Sequence, residues 1–377
     1  MLSFFSKKRS ISDDAQKCIQ NISILIDKDI QSDTYDIDKV RLEVSKFLGE
    51  IKNILLRAES EQSKSRSLES VPEGETVSES SGSFSSVDKE AATEITAIAG
   101  DTDFLLLLAQ GMQELDFEAR KDAAQVFNNI LRRCETQRLR TSLKSAGSPV
   151  KPTALDRIAN TPQILEALIK GYEHTETALP CGSMLRECIR HETLAEMMLY
   201  SDLFGLFLDY IESNNFDVAS DAFASFKDLL TKHKQVVSKY LQATYDRVMN
   251  DYFRRLLQSS NYVTRRQSLR LLGSLLTERA NLSIMRRYIS ETENLKIVMN
   301  LLLDRSQSIQ FEAFQIFKIF VANPSKPKEI EEILLKNKEQ LLKFLEQFHK
   351  DKADEQFQED RQMIIEEIRN GIGEKHS

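Results

Sequence analysis

Tyr262, Arg266 and Arg270 carry the most recognisable binding chemistry in the sequence. They are spaced four residues apart, so on a helix they share one face. Val263, Leu269, Leu272 and Leu276 take much of the opposite, core-facing side. Arg265 adds charge, and Arg279 lies just beyond the expected helix end. Like charges at this spacing cost a helix a few tenths of a kcal/mol, so the strip does nothing for the helix itself. Arginine and tyrosine are favoured anchors of protein interfaces. One reading is therefore a docking surface. The other is a solvated basic face, neutralised by acids of neighbouring repeats.

A second candidate stands nearer the C-terminus. Met299, Phe314, Phe317 and the region of Lys336 belong to the last of the repeats described below. An end repeat has no neighbour on one side, so its groove can accept a foreign apolar side chain, with a lysine to pair an acid of the guest. The alternative is a plain capping core.

Catalytic and metal chemistry find little to work with. The sequence has no Walker loop, GxGxxG, HExxH or GxSxG, so neither a phosphate cradle nor an activated nucleophile is expected. Its five histidines are scattered. Cys181 and Cys188 lie two helical turns apart but lack two further ligands, so they read as packing residues. The acidic stretch Asp27–Asp38 resembles a calcium loop only in part. Ser32 stands where the sharp turn needs glycine, and Asp38 stands where a bidentate glutamate belongs. No metal and no cofactor are expected, and the chain reads as a binding protein rather than an enzyme.

The elements that must position these residues are helical. With 12 glycines and 7 prolines in 377 residues, few tight turns are available, which argues against a sandwich or barrel. Apolar residues at 41% and charged residues at 29% suit a soluble chain with a sizeable core. A net charge of −7 argues against a dedicated nucleic-acid binder. The longest apolar run, Phe104–Ala109, is too short to span a bilayer, and the N-terminus has no secretory h-region. Four cysteines without a CxxC fit a reducing compartment. A cytoplasmic protein without membrane insertion is expected, and the sequons at Asn21 and Asn281 should carry no glycan.

Four regions are expected. Residues 1–57 form an N-terminal helical segment, with Val40, Val44, Phe47, Ile51, Ile54 and Leu55 at helical spacing. Residues 58–90 form a disordered loop, since residues 58–88 hold eleven serines and six glutamates and cannot bury a core. Residues 91–350 carry helical repeats, with an inserted loop near 138–154. Residues 351–377 form a polar helix or tail. The repeats share a small residue followed four positions later by a large apolar one. Ala123, Cys181, Ala222, Ser268 and Ala313 are the small members, at spacings of 58, 41, 46 and 45 residues. Phe127, Leu185, Phe226, Leu272 and Phe317 are the large ones. Apart from the first, lengthened by the insertion, these spacings match the armadillo/HEAT period. Such units bury their apolar faces only by stacking. The expected fold is an all-α, armadillo/HEAT-like α-solenoid with a concave surface.

Five blocks carry a family resemblance: Lys121–Arg133, Met184–Glu192, Phe216–Leu230, Asn261–Gly273, and Ile309–Phe314 together with Phe320–Pro324. In this order they closely resemble the mouse protein 25 family, also called calcium-binding protein 39, with fungal Hym-type members. The resemblance runs from about 100 to 350, and more weakly over 1–57. It implies a scaffold without enzymatic activity. Its concave face would bind and activate sterile-twenty or germinal-centre type kinases, or a STRAD-like pseudokinase, in polarity, morphogenesis or growth signalling. An adaptor for other protein partners, without kinase activation, is the alternative. The family's kinase-contacting positions match Phe216, Tyr262, Arg266, Arg270, Arg279 and Leu282. Its pocket for a Trp-Glu-Phe C-terminal tail matches the neighbourhood of Met299, with Lys336 as carboxylate partner. Two departures stand out. Leu282 replaces an aromatic common in animal members, and Arg270 replaces a lysine, which keeps the charge but changes its geometry.

Overall fold

A computed structural model describes residues 11–27, 35–68, 82–142, 152–350 and 354–371. Every element among the described residues is a helix. Contacts divide the chain into two units, Met1–Lys232 and His233–Ser377.

The first unit begins with α1 (Ile11–Ile26) and α2 (Ile37–Leu68), which pack together. From there the chain repeats one order, two shorter helices and then a long one, after an opening trio in which α3 is itself long. The trios are α3 (Gly82–Asp101), α4 (Phe104–Gln110) and α5 (Phe117–Ser142); then α6 (Ala154–Asn160), α7 (Gln163–Lys170) and α8 (Thr175–Ile189); then α9 (Glu192–Tyr200), α10 (Leu206–Ile211) and α11 (Phe216–Thr231). The second unit continues with α12 (Lys234–Ala243), α13 (Phe253–Leu257) and α14 (Tyr262–Thr277), then α15 (Leu282–Tyr288), α16 (Thr292–Leu302) and α17 (Gln307–Val321). It closes with α18 (Lys328–Lys336), α19 (Lys338–Gln347) and α20 (Glu355–Glu366).

The third helices stack as rungs. In the first unit α2 packs on α5, α5 on α8 and α8 on α11; in the second, α14 packs on α17 and α17 on α20. This stacking of helical trios is the α-solenoid class that the repeat spacing predicts. All five small members, Ala123, Cys181, Ala222, Ser268 and Ala313, are buried, as are their five large partners. Burying each Phe or Leu side chain contributes about 1.5–3 kcal/mol, and the small residue lets the neighbouring helix come close enough to do it. Gly182 marks one close approach, between α8 and α11. A Cβ there would collide with the Asp221 carboxylate of α11 and the Tyr172 hydroxyl.

The structure corrects several boundaries. The loop expected over 58–90 is helical at both ends: α2 continues to Leu68, α3 starts at Gly82, and Ala58 is buried. Alanine, glutamate, lysine and arginine between the serines of 58–68 are good helix formers, and serine content alone hid that. Residues 69–81 lie outside the described residues. The insertion near 138–154 is likewise shorter. Helix α5 runs to Ser142, and α6 starts behind a reciprocal capping box in which Thr153 Oγ1 accepts from Asp156 N at 3.3 Å and Thr153 N donates to Asp156 Oδ2 at 2.9 Å. Residues 143–151 lie outside the described residues. The segment expected as a polar helix or tail holds the helix α20, which is less polar in role than expected: it buries Phe357, Ile364 and Ile365 and stacks on α17 as a further rung.

The repeat copies also start earlier than their sequence pattern suggests. Asp122, Pro180, Asp221, Gln267 and Glu312 each fall at the sixth residue of their helix. Pro180 thus sits inside α8 rather than at its opening. Side-chain caps mark three of these starts, Asp116 on α5, Asn215 on α11 and Asn261 on α14, and periodicity does not report them.

Candidate docking face

Helix α14 begins because Asn261 caps it. Its Oδ1 accepts from Val263 N at 2.9 Å and Thr264 N at 3.4 Å, satisfying donors that a helix start otherwise leaves unpaired. Tyr262 is the first residue behind the cap and is exposed. Hydrogen bonding with Ser308 and Ser306, and then the nearby Arg266 charge, hold its hydroxyl below the usual tyrosine range. One and two turns on, Arg266 Nε and Arg270 Nε lie 3.8 and 3.6 Å from the same Glu312 Oε1 of α17. Both arginines stay accessible, with side chains 42% and 65% exposed.

The reading of a basic face neutralised by a neighbouring repeat therefore holds in part. An acid of the neighbouring repeat does reach Arg266 and Arg270. It does so through long contacts to exposed groups, which contribute little to stability but restrict where the guanidiniums point. Arg265 differs. Its Nη1 donates to Ser259 O at 2.9 Å and its Nη2 lies 3.4 Å from Asp304, so it ties down the preceding turn and the next repeat.

Glu312 belongs to a pattern. Four rungs carry an acid at their sixth residue, paired with a cation of the preceding rung: Lys52–Asp122 at 2.7 Å, Arg186–Asp221 at 2.6 Å, the Arg266/Arg270–Glu312 pair, and Lys318–Asp360. The signal was present in the sequence as recurring acids at Asp122, Asp221 and Glu312. The cation partners lie on other helices and could not be assigned from spacing.

Arg270 borders two grooves. One, of about 1000 Å³, also takes in Leu282, Met285, Ile289, Ile319 and Met363. The other, of about 980 Å³, takes in Arg266, Ser308, Phe311, Phe344 and His349. Leu282, the first residue of α15, is exposed on the apolar groove. Arg279 is exposed on the turn Arg279–Asn281 and borders neither groove. Phe216 stands in the first unit. It occupies there the place that Tyr262 occupies on α14: exposed, first in its helix, behind an asparagine whose Oδ1 accepts from Asp217 N and Val218 N.

Met299 is half-buried on α16, and Lys336 is exposed at the end of α18. These two helices pack together. Phe314 and Phe317, for which a groove at an open array end and a plain capping core are the alternatives, are core residues. Phe314 lies 5.5 and 5.2 Å, centroid to centroid, from the rings of Phe348 and Phe357, the second supplied by α20.

Among the described residues, no group of three or more His, Cys, Asp or Glu side chains is placed to hold a metal ion. Most of the calcium-loop candidate, residues 28–34, lies outside them. Cys181 and Cys188 are buried, and burial raises both thiols, that of Cys181 to about 12. They pack as the spacing suggested. Among the described residues no single helix is long and apolar enough to cross a membrane.

Stacked helical trios, with their accessible polar chemistry on the starts and outer turns of the rungs, define a helical-repeat scaffold. The sequence profile of the family described as Mo25-like matches residues 3–370. The "Calcium-binding protein 39-like" protein of Mus musculus is 47% identical over 288 residues, covering 75% of this chain and 81% of its own. The "Mo25-like protein" of Schizosaccharomyces pombe is 40% identical over 282 residues, covering 74% and 82%. The "Conidiophore development protein hymA" of Emericella nidulans is 36% identical over 290 residues, covering 71% and 73%. The chain belongs to the Mo25-like family.

Proposed function

We propose that this scaffold binds and allosterically activates a protein kinase of the sterile-twenty or germinal-centre type, or a STRAD-like pseudokinase, in the cytoplasm. Tyr262, Arg266, Arg270, Arg279 and Leu282 form one part of the contact surface and Phe216 another. Met299 and Lys336 receive a Trp-Glu-Phe-like C-terminal tail. Growth, polarity or morphogenesis is the signalling context that the family resemblance suggests. The carrying observation is that Glu312 reaches the guanidiniums of both Arg266 and Arg270, with Arg270 on the border of an apolar groove. Such a surface offers charge and apolar anchorage together, the combination from which interface hot spots are built.

The mechanism is a population shift. A kinase is active when its regulatory helix sits inward and completes the Lys–Glu ion pair. A scaffold that contacts only the inward state stabilises it by its differential affinity. About 2–3 kcal/mol of coupling raises the active-to-inactive ratio by about 30- to 150-fold. Arg266 and Arg270 meet acidic or polar groups near that helix, while Tyr262 and Phe216 supply the apolar contacts.

The test is turnover of a purified sterile-twenty type kinase domain, titrated with this protein. A saturable rise is expected, and Arg266→Ala/Arg270→Ala should blunt it while the helical circular dichroism and melting temperature stay unchanged. An unaltered activation curve for the double variant would remove these arginines from the mechanism. Binding without any rise would make the protein a tether or a general adaptor.

A further inference from the structure

The first turn of α5 repeats the first turn of α14. In each, a capping side chain precedes an exposed aromatic. Asp116 Oδ1 accepts from Ala119 N at 2.8 Å ahead of Phe117, as Asn261 does ahead of Tyr262. In each, an arginine three residues on folds back onto the preceding turn and reaches an acid of the next repeat. Arg120 Nε donates to Met112 O at 3.0 Å and its Nη2 lies 2.8 Å from Glu176; Arg265 does the same with Ser259 and Asp304. In each, a second cation follows at the fourth position, Lys121 in α5 and Arg266 in α14. Phe216 on α11 repeats the cap and the aromatic but has Ala219 and Ser220 in the cation positions. The full constellation therefore recurs at Phe117.

Its surroundings are those of a binding groove. Lys121 Nζ stands 3.9 Å from the centroid of the Phe117 ring. Phe117 is 64% exposed, and Leu179 of α8, on the same groove, is 47% exposed. Between α5 and α8 lies a cavity of about 800 Å³, bordered by these three side chains with Arg120, Pro180 and Asn128. Asn128 Nδ2 donates to Ser183 Oγ at 3.0 Å, while its buried Oδ1 accepts no hydrogen bond. A polar atom left this way favours a guest that brings a donor. Arg120, with a side chain 12% exposed, is committed to its internal contacts. Lys121 pairs with Glu118 at 3.2 Å on the same helix, both well exposed. Such a pair contributes little and yields readily to an incoming carboxylate.

We infer that this groove is a second docking site, which takes an amphipathic helical segment of a partner protein presenting an acidic residue one turn from an apolar anchor. The acid pairs with Lys121. The anchor lies between Phe117 and Leu179, and a polar group of the segment donates to Asn128 Oδ1. Recognition by side chains in a groove between packed helices suits a helical guest. The site lies wholly in the first unit and stands independently of the kinase reading.

The probe is a fluorescein-labelled, 16-residue amphipathic helical peptide of about that length, with Glu and Leu at i and i+4 and a serine on the same face. Its control carries Lys for Glu. Anisotropy is read with the full chain carrying Arg266→Ala/Arg270→Ala, so that the α14 strip does not contribute. Saturable binding of the Glu peptide is expected, with the Lys peptide weaker. Phe117→Ala should weaken it about tenfold or more, and Lys121→Glu should reverse the preference between peptides. Both positions are exposed, so melting temperatures should match the parent; should Phe117→Ala fail to fold, the Lys121→Glu reversal alone decides. Equal binding of both peptides, binding unmoved by either substitution, or no saturable binding overturns the site.

Discussion

Two arginines that pair across a rung differ in what surrounds them. Arg270 lies 3.6 Å from Glu312 with its side chain 65% exposed. Arg186 lies 2.6 Å from Asp221 with 28% exposed, and the same carboxylate accepts from the Tyr172 hydroxyl at 2.6 Å. Ser225 Oγ joins them 2.9 Å from Tyr172. Water screens the first pair more than the second. Arg270→Ala should therefore move the urea unfolding free energy by no more than about 0.5 kcal/mol, while Arg186→Ala should cost about 2–4 kcal/mol by stranding Asp221. Equal losses in the two variants would contradict this ranking. The Tyr262 strip was legible because a helix fixes which of its own residues share a face. Glu312 was not, because its arginine partners lie on another helix, some forty residues earlier.

Element starts, not just element faces, set the accessible chemistry. Asn215 and Asn261 each cap a rung and place an aromatic at its first residue. Asn261→Ala should cost about 1 kcal/mol and, on the proposed reading, weaken kinase activation more than Asn261→Asp, which keeps an acceptor. Similar activation by both variants would show that the cap does not position Tyr262. Packing between elements makes a separate demand. Gly182→Ala pushes a methyl group into the Asp221 and Tyr172 side chains and should destabilise by about 1–3 kcal/mol through overpacking. A melting temperature equal to the parent's would mean that α8 and α11 can separate without loss. Helix existence and phase were readable from the small–large spacing, but helix ends were not. Serine-rich 58–68 is helical because its other residues favour helix and α2 runs on through it, which composition does not register.

Across the whole chain, tyrosine ionisation links packing to pH. Burial raises Tyr172, Tyr210, Tyr240, Tyr245 and Tyr288 above the ordinary value near 10. Above pH 10 the unfolded chain releases these protons while the folded chain retains them. The unfolded state then binds fewer protons, so stability is full below pH 10 and falls as pH rises beyond it. Absorbance of ionised tyrosine should accordingly appear together with loss of helical circular dichroism for these five, and before it for Tyr262, which is held below its ordinary value. Five tyrosines that titrate freely in a still-folded protein would contradict the burial of their hydroxyls.

The sequence by itself determined that the chain folds as stacked helices and where the shared core lies. A small residue with a large one four positions later is a local requirement, and each repeat states it separately. It also placed Tyr262, Arg266 and Arg270 on one face, since helical spacing is local. Only the tertiary structure decided which acid meets which cation, that α20 covers Phe314, and that Phe117 with Lys121 repeats the α14 constellation beside an open groove. Those outcomes depend on distances between helices far apart in sequence, and side-chain chemistry alone does not specify them.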